Sequence, residues 1–180
     1  MRKPGQAGRD DVMAGHSWKI YWNEYGKNAY LYGTELLFHA KNDVEFRNEL
    51  MPPGTVMMRW FSKVNYQMAR VEPELPMIDG EGRYHIALEA SADPPGGLLL
   101  ELVFYDRYDV EIGNRIIRDG EADFRCPLRT YSYEARLING GVARFHFHSI
   151  VITEVSDGEQ EIRAFTEKGQ AGVAACPAAE

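Results

Sequence analysis

The sequence predicts an all-β protein, an antiparallel two-sheet β-sandwich or jelly roll. Short runs of alternating or continuous apolar residues recur roughly every 8–14 residues. Each run ends in a turn signal built from Gly, Pro, Asn or Asp, and no long segment keeps the period of an amphipathic helix. Chains with about ten short strands form sandwiches or jelly rolls, because two sheets can bury one face each against the other. The strand order does not follow from these patterns.

In the first half of the chain, each predicted strand is bounded by turn residues. WKIYW alternates and stops near Asn23, and AYLYG is separated from TELLFHA at Gly33. DVEFRN lies between Asn42 and MPPG, and GTVMMRWFS starts at Gly54. Gly, Asn and Pro at these positions favour turns over continued strands.

In the second half, the side-chain alternation is clearer. RYHIALEAS places Tyr84, Ile86 and Leu88 on one face, as a period of two requires. LLLELVFYD carries only Glu101 as a charge before its final residue, so we expect this strand to be covered on both faces. The remaining strands are VEIGNRIIRD, EADFRCPL, YSYEARLIN and RFHFHSIVITEV.

The last run changes the parity of its apolar residues. Phe145 and Phe147 share one face, whereas Ile150 and Ile152 have the opposite parity. A β-bulge near His148–Ser149 would place all four in the core, because one extra residue resets the alternation. A strand covered on both faces is the alternative, and the sequence does not choose between them.

Length and composition limit the class of protein. The 180 residues predict one folded domain at 17–155, with a disordered segment at 1–16 and a flexible tail at 156–180. The formal net charge of −7, without a basic cluster, argues against nonspecific nucleic-acid binding. Two cysteines, Cys126 and Cys176, fit a reducing compartment. No apolar run has the length of a signal peptide or a membrane span, so we expect a soluble intracellular protein.

The sequence offers one candidate metal motif and no assembled catalytic motif. His146 and His148 form an H-x-H pair, whose side chains point the same way on a strand and could share a metal ion. Cupin-type dioxygenases use such a pair with a glutamate a few residues later, but Glu154 comes too late. No serine lies in a nucleophile elbow, and no glycine-rich phosphate loop is present. We therefore expect no catalytic residue, no metal and no cofactor.

The stretch RWFSKVNYQMARVEPELP, residues 59–76, fits neither a clean strand nor a clean helix. One interpretation is an ordered crossover whose aromatic rings are buried and whose amides satisfy backbone groups. The other is a partner-binding surface, because Trp, Tyr and Arg dominate interface hot spots. The candidate partner-binding residues are Trp60, Asn65, Tyr66, Gln67 and Arg70. The two interpretations are compatible, since a stiff loop loses less entropy on binding.

These residues also carry a resemblance to a known family. The runs YLYG, DVEFRNELMPPGTVMMRWFSKVNYQMARVEPELP, GRYHI, LVFYD and YEARLINGGVARFHFHSIVI are similar to the smallest, third accessory secretory protein of the accessory Sec system of Gram-positive bacteria. The most specific parts are NELMPPGT with the following W-x-S-x-x-N-Y-Q, and the ARLINGG…FHFHSI ending. The resemblance covers about residues 18–153 and includes neither terminal extension.

The resemblance implies a fold, a location and partners. It implies a β-sandwich similar to a carbohydrate-binding module and a cytoplasmic, non-enzymatic subunit, with peripheral association at the inner face of the membrane left open. The implied partners are two larger accessory proteins, one similar to glycosyltransferases and one to an acetyltransferase. A motor ATPase and a serine-rich repeat adhesin preprotein complete the set. No functional residue is carried over from the family.

A carbohydrate-binding module is the alternative function. Sugar platforms present exposed, coplanar aromatic rings, and the chain has 3 Trp and 10 Tyr from which to build one. The candidates on the early strands are Trp18, Trp22, Tyr30 and Tyr32. Exposure of these rings on a concave face would favour glycan binding, and burial of all four would exclude it.

Overall fold

The residues that the structure describes form two antiparallel β-sheets, which confirms the predicted fold class. A computed structural model describes residues 15–23, 28–63 and 72–155, and within these ranges it contains ten β-strands. None of the described residues belongs to a helix that could cross a membrane. The strands are β1 (Ser17–Ile20), β2 (Glu35–Ala40), β3 (Asp43–Arg47), β4 (Val56–Phe61), β5 (Arg83–Asp93), β6 (Leu98–Tyr105), β7 (Glu111–Ile117), β8 (Glu121–Arg125), β9 (Ser132–Asn139) and β10 (Arg144–Glu154).

The two sheets divide the strands by long-range pairing. The first sheet has the order β2-β3-β10-β5-β8, and β1 pairs with the second half of β10. The second sheet has the order β4-β9-β6-β7. Most neighbours in these sheets are distant in the chain, which explains why the sequence pattern predicted the strands but not their order. The predicted boundaries at 16/17 and 155/156 stay predictions, because residues 1–14 and 156–180 lie outside the described residues.

The core lies between the inner faces of the sheets and is rich in aromatic rings. The Trp60 ring stacks on Phe147 with centroids 5.4 Å apart, and Trp22 packs edge-on against both. The indole Nε1 of Trp60 donates to the Tyr21 carbonyl at 3.1 Å, so its polar atom is satisfied. Burying rings of this size contributes a large share of the hydrophobic stabilisation, at about 25 cal/mol per Å² of apolar surface.

The predicted bulge in the last strand is confirmed. In β10, Phe147 pairs with Ala90 and Ser149 pairs with Glu89, so His148 is the extra residue. The consequence is that Phe145, Phe147, Ile150 and Ile152 are all buried on the inner face. A single inserted residue therefore reconciles two apolar pairs of opposite parity.

The predicted AYLYG strand is wrong. Residues 29–33 form a turn instead, in which Thr34 N donates to the Leu31 carbonyl and Gly33 adopts φ +67°. The Asn48 side chain donates to the Tyr32 carbonyl at 2.9 Å, and Tyr30 N donates to the Met57 carbonyl of β4 at 2.8 Å, so these contacts hold the segment without a strand ladder. Alternating apolar residues cannot distinguish a strand from a turn held in this way.

Candidate interaction surface

The outer face of the first sheet is a charged face whose groups pair with one another. His39 Nε2 lies 3.0 Å from Glu45 Oε2, and Arg47 Nε donates to Glu45 Oε1 at 2.7 Å. These contacts, with the His39 hydrogen bond as the larger contribution, lower the pKa of Glu45 to about 2. Arg144 is also 2.8 Å from Glu45. Such a face is satisfied by its own ion pairs and is well suited to contact water.

The histidine pair of the predicted metal motif belongs to the same face. His146 Nδ1 is 2.9 Å from Asp43 Oδ1, and this hydrogen bond lowers the pKa of Asp43. His148, the bulge residue, is 3.0 Å from the Asn42 carbonyl through Nδ1. Among the described residues, no three His, Cys, Asp or Glu side chains are arranged to hold a metal ion. The histidines therefore act as partners of carboxylates and backbone here.

A surface with exposed apolar side chains, in contrast to this charged face, lies where four loops meet at one end of the sandwich. We call this region the loop end and define it as residues 62–63, 76–82, 106–110 and 126–131. It is held to the sheets by backbone hydrogen bonds, such as Tyr131 N to the Tyr105 carbonyl at 2.8 Å. The Tyr133 hydroxyl donates to the Pro76 carbonyl at 2.7 Å, and burial raises the pKa of this hydroxyl.

The turn between β6 and β7 is fixed by one carboxylate. Asp106 Oδ1 accepts hydrogen bonds from Tyr108 N at 2.8 Å and from Val110 N at 3.0 Å. This pattern is an Asx turn, in which a side chain replaces a backbone acceptor. The turn therefore presents its own side chains without further ordering, which lowers the entropy cost of binding.

The loop end exposes large apolar side chains on this fixed backbone. The exposed fractions are 88% for Met77, 70% for Tyr108, 57% for Val110, 68% for Leu128 and 62% for Tyr131. Scattered exposed apolar residues are normal, but several contributed by neighbouring loops indicate an interaction site. Met and Tyr are also among the residue types enriched at protein interfaces.

Two cavities of the loop end share Thr130 and Tyr131 in their linings. One, of about 240 Å³, is lined by residues that include Met77, Lys63 and Tyr131. The other, of about 420 Å³, is lined by Asp106, Arg107, Tyr108, Leu128, Arg129, Thr130 and Tyr131. Tyr131 thus borders two concave, partly apolar recesses, into which side chains of a partner can insert.

Cations accompany the exposed rings. The Lys63 ammonium lies 4.7 Å from the Tyr131 ring centroid and 3.5 Å from Asp109 Oδ1. The Arg107 guanidinium lies 4.8 Å from the centroid of the Tyr108 ring. Cation–π contacts of this kind orient the rings while leaving their opposite faces accessible.

The structure places the predicted partner-binding residue Trp60 in the core. Its side chain has 0% exposure and packs between the sheets. An alanine variant at this position therefore reports on folding before it reports on binding. Asn65, Tyr66, Gln67 and Arg70 lie outside the described residues.

The four predicted carbohydrate-binding residues are not gathered on one platform. Trp22 is buried in the core, and Trp18 and Tyr30 are partly buried against it. Tyr32 is 83% exposed and lies beside Asn48, at the end of the sandwich opposite to the loop end. Trp18 pairs in β1 with Ile152 of β10, far from Tyr32 along the sheet.

Sequence reasoning did not single out the loop end. The motifs that form it, LPMIDG, YDRYDV and CPLRTYS, look like ordinary turns between strands. One signal was available, because Met77, Tyr108 and Leu128 are large apolar residues inside turn segments that otherwise favour polar side chains. Their assembly into one surface required the strand order.

Comparison with known proteins identifies the family. The family model described as "Accessory Sec secretory system ASP3" matches residues 29–154. The chain is 33% identical over 146 residues to the accessory Sec system protein ASP3 of Streptococcus gordonii, and the match covers 76% of this chain and 92% of that protein.

Two solved structures are similar in both sequence and fold. A chain of the accessory secretory protein 1, 2 and 3 structure from Streptococcus pneumoniae is 30% identical with a TM-score of 0.73, covering 77% of this chain and 96% of that one. A chain of the Gap123 glycosylation-associated protein complex of Streptococcus agalactiae is 33% identical with a TM-score of 0.74. The match covers 78% of this chain and 45% of that one. The predicted family resemblance is confirmed, and the chain belongs to the ASP3 family of the accessory Sec secretory system.

Proposed function

We propose that this protein is a non-enzymatic interaction subunit of an accessory Sec complex, and that it uses the loop end to bind a protein partner. The observation that carries the proposal is the exposure of Met77, Tyr108, Leu128 and Tyr131 on loops fixed by backbone hydrogen bonds. Its similarity to chains from complexes of accessory secretory proteins supports an assembled role. The partners would be the two larger accessory secretory proteins, one similar to glycosyltransferases and one to an acetyltransferase.

The wider role follows from the family. The subunit would assist the modification and export of serine-rich repeat adhesins, in the cytoplasm or at the inner face of the membrane, together with the accessory Sec motor ATPase. Asn65, Tyr66, Gln67 and Arg70 stay predicted partner contacts. The loop end includes Lys63, which comes two residues before Asn65 in the sequence.

The reactive groups of the described residues support a binding role. Cys126 is buried, and burial raises the pKa of its thiol, so the reactive thiolate is disfavoured. The first-sheet histidines His39, His146 and His148 are bonded to carboxylates or backbone on the outer face of the sheet. A surface of this composition can bind and position another protein without changing a covalent bond.

The proposal is tested by co-expressing the full chain with the two larger accessory proteins and analysing the complex by size-exclusion chromatography. We expect the three proteins to co-elute. Elution of this chain alone as a monomer, while the two larger proteins are folded and soluble, would contradict the proposal.

A pair of matched leucine variants locates the surface. Leu128→Asp places a charge in the loop end, whereas Leu50→Asp makes the same change at an 86% exposed leucine of the opposite end. We expect Leu128→Asp to reduce co-elution and Leu50→Asp to preserve it. Both side chains are exposed, so neither change should unfold the protein.

One observation favours the alternative function, recognition of a glycan or a serine-rich polypeptide. A cavity of about 590 Å³ beside β1 is lined by aromatic and polar side chains, including Trp22, Phe38, Lys41, Asn23 and Glu74. Asn23 Nδ2 donates to Glu74 Oε1 at 3.0 Å, and burial raises the pKa of this carboxyl. Aromatic surface beside groups that donate and accept hydrogen bonds suits a hydroxyl-rich ligand.

The two functions are separated by a direct binding measurement. Isothermal titration of the chain with serine-rich peptide, glycosylated and unglycosylated, would show binding that Glu74→Gln weakens if the alternative is correct. Complex formation with the larger accessory proteins would be unaffected by Glu74→Gln under the leading proposal.

A further inference from the structure

Within the described part of the chain, the arginines of the loop end differ from those of the first sheet in lacking carboxylate partners. Arg129 is exposed and makes no hydrogen bond or ion pair with any described residue. Arg107 donates to the Tyr108 hydroxyl, at 2.7 Å, and lies over the same ring. Arg47, Arg136 and Arg144 lie outside the loop end and reach a glutamate within 3.2 Å, and Arg125 of β8 reaches Glu81 of the loop end at 3.4 Å.

The charged residues that line the two loop-end cavities are mostly basic, although the loop end as a whole contains four acidic residues, Asp79, Glu81, Asp106 and Asp109. The residues that line its two cavities include three basic side chains, Lys63, Arg107 and Arg129, and one acidic side chain, Asp106. Asp106 is engaged by two backbone N–H groups of its own turn. The chain as a whole carries a formal charge of −7. Lys63 pairs with Asp109 at 3.5 Å, so Arg107 and Arg129 are the cations of this lining that are left to attract a carboxylate.

The two guanidinium groups flank an apolar recess. Both arginines line the cavity of about 420 Å³, together with Tyr108, Leu128 and Tyr131. Guanidinium groups pair with carboxylates in a planar, bidentate geometry, and they tolerate partial desolvation better than ammonium groups. The lining of this cavity therefore combines apolar side chains with two arginines that can donate to a carboxylate.

We propose that the loop end receives an acidic segment of a protein partner, in which an apolar side chain enters the cavity and flanking carboxylates pair with Arg107 and Arg129. This inference rests on the proposed function and specifies the chemistry of the partner surface. It makes the interface sensitive to ionic strength, since rim charges are screened over about 8–10 Å at about 0.10–0.15 M salt.

The experiment compares two variants in which an exposed arginine is replaced by glutamate, so that the charge changes by the same amount in both. Arg129→Glu lies in the loop end, and Arg118→Glu lies after β7 at the opposite end of the sheet; both side chains are exposed. The affinity of each variant for the purified complex of the two larger accessory proteins is measured at low and high salt. We expect Arg129→Glu to weaken binding about tenfold or more and to reduce the salt dependence. Arg118→Glu should stay near wild type, and Arg129→Lys should retain part of the affinity.

Each other outcome overturns a defined part of the proposal. If the wild type binds and Arg129→Glu binds equally well, the acidic-partner inference is wrong while the proposed function stands. If the wild type does not bind, both fail. Binding of short single-stranded RNA by the wild type and not by Arg129→Glu would assign the surface to nucleic acid instead. Dimerisation of the chain alone, lost in Arg129→Glu, would assign it to a second copy.

Discussion

The two ends of the sandwich both expose large apolar side chains, yet their polar groups are used differently. The end opposite to the loop end, which we call the far end, comprises residues 31–34, 48–55, 94–97 and 139–143. Its turns are held by buried amides: Asn139 donates to the Met51 carbonyl and accepts from the N–H groups of Gly141 and Val142. Asn48 similarly binds the backbone of residues 32 and 50.

At the loop end, the backbone is fixed while cationic side chains are left without an acidic partner among the described residues. Arg107 and Arg129 are these cations, and Tyr131 lines both cavities. Exposure of apolar residues alone therefore does not distinguish a binding surface, because Tyr32 and Leu50 of the far end are also highly exposed. The distinguishing feature is the coincidence of exposed rings, concave recesses and cations available for pairing on a fixed backbone.

The largest effect on stability is expected from the far end. Asn139→Ala removes three hydrogen bonds to backbone groups from a side chain that is 1% exposed. We expect the free energy of unfolding to fall by about 3 kcal/mol, because the backbone groups lose their partners without gaining water. Urea unfolding measures the change. The control is Asn114→Ala in β7, an exposed amide that donates to Glu101 at 3.2 Å, and a similar loss in both variants would contradict the assigned role of Asn139.

The largest effect on binding is expected from the loop end. Tyr131→Ala removes an exposed ring that lines both cavities and should weaken the complex with the larger accessory proteins about 30-fold, or about 2 kcal/mol. Tyr131→Phe should retain most of the affinity, since the hydroxyl makes no hydrogen bond within the described residues. Isothermal titration checks both. Because the side chain is exposed, unfolding should change by less than about 1 kcal/mol, and a larger loss would show that the ring has a structural role instead.

The β-strands could be predicted from the sequence better than the candidate interaction surface. The bulge at His148 could be proposed from the sequence, beside a strand covered on both faces, because the parity change between Phe147 and Ile150 is a local property of one strand. Burial of Trp60 could have been inferred from the same alternation, since Met58 and Trp60 share the inner face of β4.

The loop end could not be predicted, because its residues come from four turns that meet only through strand pairings distant in the chain. The turn at residues 29–33 was missed because the stabilising group, the Asn48 amide, is itself distant in the sequence.

A smaller, pH-dependent effect on stability is expected from Glu45, whose carboxylate pairs with Arg47 and Arg144. The pKa of Glu45 is lowered from its ordinary 4.5 to about 2, so its contribution to stability is complete above pH 4.5 and is lost as the pH falls towards 2. Glu45→Gln should therefore flatten the acid limb of the urea-unfolding midpoint within that window. Glu35→Gln removes an exposed carboxylate of the same sheet and tests whether loss of charge alone explains the result. An unchanged slope in Glu45→Gln would show that its contacts with His39 and Arg47 do not stabilise the fold.

The smallest effect is expected from Tyr32→Ala. This change removes the same ring as Tyr131→Ala, but at the far end, where Asn48 uses the backbone carbonyl of residue 32 and not its ring. Complex affinity should change less than about twofold and stability by less than about 0.5 kcal/mol, because an exposed ring outside a recess loses little on truncation. The measurement is the same titration used for Tyr131. If Tyr32→Ala weakened the complex as strongly, the far end would be the interface, and the combination of exposed rings, recesses and unpaired arginines among the described residues of the loop end would no longer be the property that selects the binding surface.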